Sequence, residues 1–583
     1  MLKFTKTTDK LTGGNLLPYL FAWLISGAIL GSTLVVFWMS FKPGLSFGPD
    51  LTILNYAEVF DSALFTQIIP NTLVVGVGTV AIALFFGVIL AWLLNRTDVP
   101  FRSLSITLLG VSAIVPSLVK VMGWILLLSP RIGWINQFIM RLFNLQTAPL
   151  DIFSLWGIVF VQGLTLAPVL FFLLSGPMRS MDPVLEEAAA LAGAGPWKTL
   201  IRVTWPLIRP AVFGGVIYVF ITAISMFEVA SLLGGLGKHP VLSTKLFLSV
   251  YPGYGIGGQS NYGIAGVYAV LMAVPNLVAM YFYFQMIEKA YRYAVIGGKS
   301  YRPKSFRLGK YRYLGFVFIF FYTALAAFLP LLILLWLSLL PSVRMPSREA
   351  LSLVTFEWYT DIILVMGGYR VVNNTILLVL ASSFLVLFFS FMVSWIVVRT
   401  RLPSRRILDM IAMLPHAIPG IAFAFALFII GLLLARYLPW LPFYNTVWIM
   451  ITASVLTRLS YATRATNAAL IQIHKELEDA ALICGARRWT VMWRVMAPVI
   501  SPSLVFTGLW TALLVFREVS IPLMLQGADN KVVATQIWAL WFTGHASQAA
   551  AVSIILVLTL ALILLVIQRV SKLEGDKTEF LAR

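Results

Sequence analysis

Twelve long apolar runs decide what this chain can become. They lie near 17–40, 69–95, 104–128, 152–176, 211–235, 263–287, 314–340, 374–398, 407–435, 444–463, 503–525 and 547–570. A run of about 18 or more apolar residues crosses roughly 30 Å of hydrocarbon as a helix, which satisfies its own backbone polar groups where no water can. With 60% hydrophobic and 11% charged residues among 583, too little polar surface exists to cover a globular body of that size. The fold expected is an all-α polytopic membrane protein of about 12 transmembrane helices. The first run follows Lys3, Lys6 and Lys10, but it is too long for a secretory signal and lacks a small-residue cleavage site, so it reads as a retained span.

The chain carries 43 Lys and Arg against 23 Asp and Glu. These cations follow topology rather than one face, so no nucleic-acid partner is expected. With the N-terminus inside, about 30 of them fall in inner segments, as the positive-inside rule requires. Both termini are then cytoplasmic in a bacterial inner membrane. Only Lys120, Arg458 and Arg517 lie within spans. Cys484 is the single cysteine, which excludes an internal disulfide and a thiolate cluster, and the histidines, His416 included, show no metal-ligand spacing.

The chain is written twice. Glu187-Ala188-Ala189, Gly193, Trp197, Arg202 and Pro206 recur 292 residues later as Asp479-Ala480-Ala481, Gly485, Trp489, Arg494 and Pro498. Asn71-Thr72, Arg96-Thr97 and Pro116 recur 303 residues later as Asn374-Thr375, Arg399-Thr400 and Pro419, so the second copy is 11 residues shorter between these anchors. The outer loop from 129 to 151 is the expected site of the difference. Two tandem six-helix domains follow, 1–287 and 314–583, joined by a basic cytoplasmic linker at 288–313 whose cations suit lipid headgroups as well as topology. Six spans per half insert both copies the same way up, which sets a pseudo-two-fold axis along the membrane normal.

Each repeated segment, near 182–210 and 474–502, reads as helix, turn, helix between spans. Pro183 with Glu186 and Glu187 suits a helix start, and Gly193 and Gly485 suit its end, because glycine accepts left-handed geometry. Ala188 and Ala189, like Ala480 and Ala481, leave a small apolar face open to close approach. Gly298-Lys299-Ser300 is not a phosphate-binding loop, since position 293 is Tyr and no strand precedes it.

At these residues the chain resembles the EAA loop of membrane subunits of binding-protein-dependent ABC importers of type I: EAA, three residues, Gly, nine residues, then an apolar segment ending in Pro. Departures are mild: Asp479 replaces the first Glu in the second copy, leaving open whether Glu478 or Asp479 does the job of Glu187. The resemblance implies that the coupling residues are Glu186, Glu187, Ala188, Ala189, Gly193, Pro206, Glu478, Asp479, Ala480, Ala481, Gly485 and Pro498. It also implies two copies of an ATPase subunit inside, which bind the ATP and Mg that this chain does not, and a substrate-binding protein outside. Such a chain is a permease subunit rather than an enzyme, with no catalytic or metal-binding residue of its own. Phe516-Arg517-Glu518-Val519, Pro522-Leu523-Met524-Leu525 and Ile537-Trp538 are similar to the fused ferric-iron permease branch, which makes ferric iron the first expectation for substrate. Thiamine, phosphonate, sugar phosphate and polyamine are alternatives, and an ion-coupled secondary transporter is the alternative from another class.

Charges inside a membrane are costly unless paired or facing water. Glu228 and Glu518 sit at corresponding places in the fifth and eleventh runs, as candidates for a translocation path or gate together with Arg517 and Lys120. The plainer reading gives each acid a neighbouring helix to bond, with Arg517 or Lys120 as counter-charge. Lys120 has no charged counterpart, since position 423 is Phe.

Overall fold

The computed structural model describes residues 13–44, 48–180, 184–235, 238–254, 259–292 and 308–581. Most of the basic linker lies outside the described residues. The principal helices, in chain order, are α1 (Gly13–Ser40), α2 (Ile69–Arg96), α3 (Arg102–Ile114), α4 (Ser117–Leu128), α5 (Trp134–Phe143), α6 (Leu155–Ser180) and α7 (Val184–Leu191). Next come α8 (Trp205–Ser225), α9 (Phe227–Leu233), α10 (Leu242–Val250), α11 (Tyr262–Arg292), α12 (Arg312–Thr323) and α13 (Leu329–Ser338). The second copy supplies α14 (Tyr369–Arg399), α15 (Arg405–Ala417), α16 (Gly420–Tyr437), α17 (Val447–Ile471) and α18 (Glu476–Ile483). It ends with α19 (Ser501–Phe516), α20 (Ser520–Leu525), α21 (Val533–Phe542) and α22 (Ala546–Leu581). Among the described residues there is no strand.

Nine helices among the described residues are long and apolar enough to cross a membrane, and up to eleven if each bent pair is one span, against the twelve that the sequence predicts. The difference has local causes. The third run is two helices, α3 and α4, meeting at 92°. Pro116 lacks an N–H and crowds the residue before it out of the helical region, so Val115 sits at ψ 122°. Its repeat Pro419 does the same to Ile418, at ψ 125°, between α15 and α16. The eleventh run is part of the second bent pair, Arg488–Val499 and Ser501–Phe516, at 76°. Further along, the fifth and eleventh runs both break, where Met226 is extended between α8 and α9 and where Arg517 to Val519 separate α19 from α20. The tenth run, α17, has 25 residues but carries Arg458 and Arg464, and it is not among the nine.

The sequence halves are units of repeat, yet the chain packs into different units. One comprises 1–39, 361–543 and 555–583, and the other 40–360 and 544–554. Thus α1, the first helix of the first half, packs with helices of the second half, where Phe21 meets the rings of Phe388 and Phe389 at 5.1 and 6.3 Å. In the other unit α12 and α13 join helices of the first half. The Tyr322 hydroxyl donates to the Leu164 carbonyl at 2.8 Å, and a Cβ on Gly123 would lie 2.5 Å from the Pro330 Cα. Glycine at 123 is what lets α13 lie against α4.

On the side away from the repeated loops, each unit carries a short apolar helix after its fifth run, α10 or α21. The repeated Asn-Thr pair holds both. Thr72 accepts the Leu242 N–H at 3.1 Å and Thr375 the Val533 N–H at 2.9 Å, while Asn71 donates to Pro240 O and Asn374 to Lys531 O. The extra residues at 129–151 form a helix, α5, rather than only a loop. Buried Asn136 fixes it by donating to the carbonyls of Leu128, Ser129 and Leu150.

Candidate functional site

The two EAA segments fold alike. Gly193 and Gly485 end α7 and α18 at φ 78° and 81°. Just beyond them, the Ala194 N–H donates to Ala189 O at 3.0 Å and the Ala486 N–H to Ala481 O at 3.1 Å. This is the bond that closes a helix over a left-handed residue, and the third letter of the motif supplies its acceptor in both copies. Pro206 lies in the first turn of α8, and Pro498 in the short helix Ala497–Val499, where a missing N–H costs nothing. In the second copy that helix meets α19 at 76°, whereas in the first the run Leu200–Ser225 continues as one.

Burial separates the acids. Glu186 and Glu478 are buried, while Asp479 is exposed. Glu187 belongs to α7, but its side chain lies outside the described residues. Glu478 is therefore the partner of Glu186 in both register and burial, and Asp479 holds the register position of Glu187. Ala188 and Ala480 are exposed, and Ala189 and Ala481 half-buried. Beside them Leu191 and Ile483, 292 residues apart, are 90% and 86% exposed. Sequence reasoning passed over both, although aliphatic residues repeated at one position of an otherwise polar loop were the available signal. Burial raises the Glu478 carboxyl above its ordinary value and Arg399, Lys475 and Arg488 oppose that rise. Cys484, where the first copy has Ala192, is exposed.

Glu186 also has a partner that the repeat contained without revealing it. Arg96 Nη1 lies 3.2 Å from Glu186 Oε2, and Thr204 donates to Glu186 Oε1 at 2.7 Å. Arg399, the repeat of Arg96, donates to the carbonyls of Leu470 and Ile473 at 2.6 and 3.0 Å.

The intramembrane acids sit at the helix breaks. Glu228 is in the first turn of α9 and accepts from Ser117, the first residue of α4, at 2.5 Å. Glu518 lies in the gap before α20 and is bonded by Arg458 of α17. The two acids are not at equivalent positions, since Glu518 aligns with Met226 and Glu228 with Ser520. Glu518 draws its counter-charge from Arg458 rather than from Lys120, which is buried and donates to the Ser112 carbonyl at 2.8 Å. Arg517, half-buried, adjoins the same break. Side chains of Arg458 and Glu518 keep 23% and 22% exposure, so a polar pair at the level of the breaks stays partly open. Chemically, one unit joins its third-run break to the acid of its fifth-run break, and the other joins α17 to the acid at its eleventh-run break.

Two segments, 83–247 and 386–573, match the model for the binding-protein-dependent transport system inner membrane component family, and together they cover more than half of the chain. FbpB of Actinobacillus pleuropneumoniae, a ferric transport system permease protein, is 25% identical over 580 residues, covering 95% of this chain and 78% of that one. The spermidine/putrescine transport system permease PotB of Haemophilus influenzae is 30% identical over 222 residues, covering 37% of this chain and 76% of its own. A solved bacterial ABC transporter that imports alginate matches with 20% identity and a TM-score of 0.32, covering 45% of this chain and 88% of its own. Each EAA segment lies inside one of the two matched segments. The chain belongs to the family of binding-protein-dependent transport system inner membrane components, as a multi-pass permease with two permease domains fused in tandem.

Proposed function

We propose that this permease works in an ATP-driven importer, with one ATPase subunit seated on each EAA segment. Under this reading those segments and both termini are cytoplasmic, a substrate-binding protein docks on the opposite side, and ATP and Mg are held by the partner. The observation that carries it is the doubled geometry: two loops with the same left-handed glycine, the same inward acid and the same outward aliphatic residue. Leu191 and Ile483 have the size and exposure of anchors for a partner's pocket, since apolar side chains so open to water bind where they can be covered. Purification with an ATPase subunit tests this. The parent chain is expected to retain it, and G193W/G485W to lose it; transport by the chain in liposomes with no ATPase would overturn the reading. Orientation is checked at Cys484, which an impermeant maleimide is expected to label only from the cytoplasmic face.

Ferric iron is the substrate this reading favours, supported by likeness to a ferric permease over nearly the whole chain. A polyamine is the second reading, resting on a higher identity over a much shorter stretch. Uptake of radiolabelled ferric iron that requires ATP and the binding protein, and is not competed by spermidine, is the expected result. Spermidine uptake in its place would reverse the order.

A further inference from the structure

Glu186 stands where three elements converge. Arg96 is the last residue of α2, fully buried, and its guanidinium sits at a helix C-terminus whose carbonyls favour a cation. Glu186 belongs to the EAA helix α7, and Thr204 immediately precedes α8. One carboxylate therefore ties the end of the second run, the coupling segment and the start of the fifth run, through an ion pair at 3.2 Å and a hydrogen bond at 2.7 Å. At the matching place in the second copy the tie is built differently. Arg399, last residue of α14, grips the Leu470 and Ile473 carbonyls at the end of α17, ahead of α18, and position 496 is Met where the first copy has Thr204.

We propose that Arg96 and Glu186 are a positioning pair, a strut that turns displacement of the first EAA segment into displacement of α2 and α8. This rests on the ATPase seating proposed above. A pair kept only for stability is dispensable, because apolar residues of similar volume replace buried ion pairs with little loss. A pair that transmits motion is not, because the apolar substitute makes no directed bond to Thr204.

The test uses the full chain assembled with its ATPase subunit in liposomes, with C484A removing the native thiol and M226C placing a reporter at the α8 break. Maleimide labelling is compared between nucleotide-free and vanadate-trapped states. The parent is expected to change its labelling rate by about tenfold, the size of an ordinary coupling between sites. E186Q and the apolar pair R96M/E186L are expected to abolish that change while the ATPase still co-purifies. The apolar pair leaves no orphaned charge, so it folds where single variants fail. A change preserved in R96M/E186L overturns the strut alone. Absence of the ATPase from the parent complex overturns the seating and the strut with it.

Discussion

A carboxylate taken out of water must be paid back by partners, and the two EAA copies do so unequally. Glu186 has an arginine and a threonine on its two oxygens. Glutamine there leaves Arg96 as an uncompensated buried cation, a loss of about 3 kcal/mol, read as a lower melting temperature of the purified chain. Glu478 is buried without that arrangement, and burial raises its pKa above the ordinary 4.5. The folded state then holds the proton more tightly than the unfolded one, so this group's contribution is full below 4.5 and is lost as pH rises through the folded value. E478Q is expected to flatten that dependence, gaining on the parent as pH rises from 4.5 to 7; a constant difference between the two melting temperatures across that range would contradict it.

At the scale of elements, breaks and caps carry the specificity of the fold. Pro116 costs a continuous helix about 3 kcal/mol, so P116A should favour joining α3 to α4 and draw Ser117 away from Glu228. Transport is expected to fall at unchanged expression, and normal transport would show that the 92° bend is not needed. Thr375→Val strips the acceptor from the Val533 N–H, a buried donor that water does not reach, and should cost about 1–3 kcal/mol, with faster amide exchange confined to the start of α21. These elements were only partly legible in the sequence. The repeated Pro, Asn-Thr and Arg-Thr signatures announced positions that matter, but not what they bond. Pairings such as Thr72 with Leu242 or Arg96 with Glu186 depend on three-dimensional placement across long stretches of chain. The glycine caps were legible because a left-handed residue is a local requirement. Glu518's partner was not, because one arginine beside it in sequence hid another beside it in space.

For the whole molecule, the repeat and the compact unit are different divisions. An apolar face declares that a helix is covered, by lipid or protein, without naming the cover, so the exchange of α1 for α12 and α13 had no signature in the sequence. Cutting the chain within the linker leaves each half holding a helix that packs with the other half. Fragments 1–300 and 301–583 are expected to be degraded when made alone and to yield a stable complex when made together; a stable isolated fragment would contradict the division. The exchange also has a history in time. Synthesis delivers α1 first, yet its packing partners begin only at 361. At roughly 5–20 residues per second the helix waits tens of seconds in the bilayer before anything exists for Phe21 to touch. A span of mean hydropathy 2.1 endures such an interval as an independent lipid-embedded helix. Maturation of this permease thus depends on when the second-half helices arrive, and α1 finds its place only after more than half of the chain has been made.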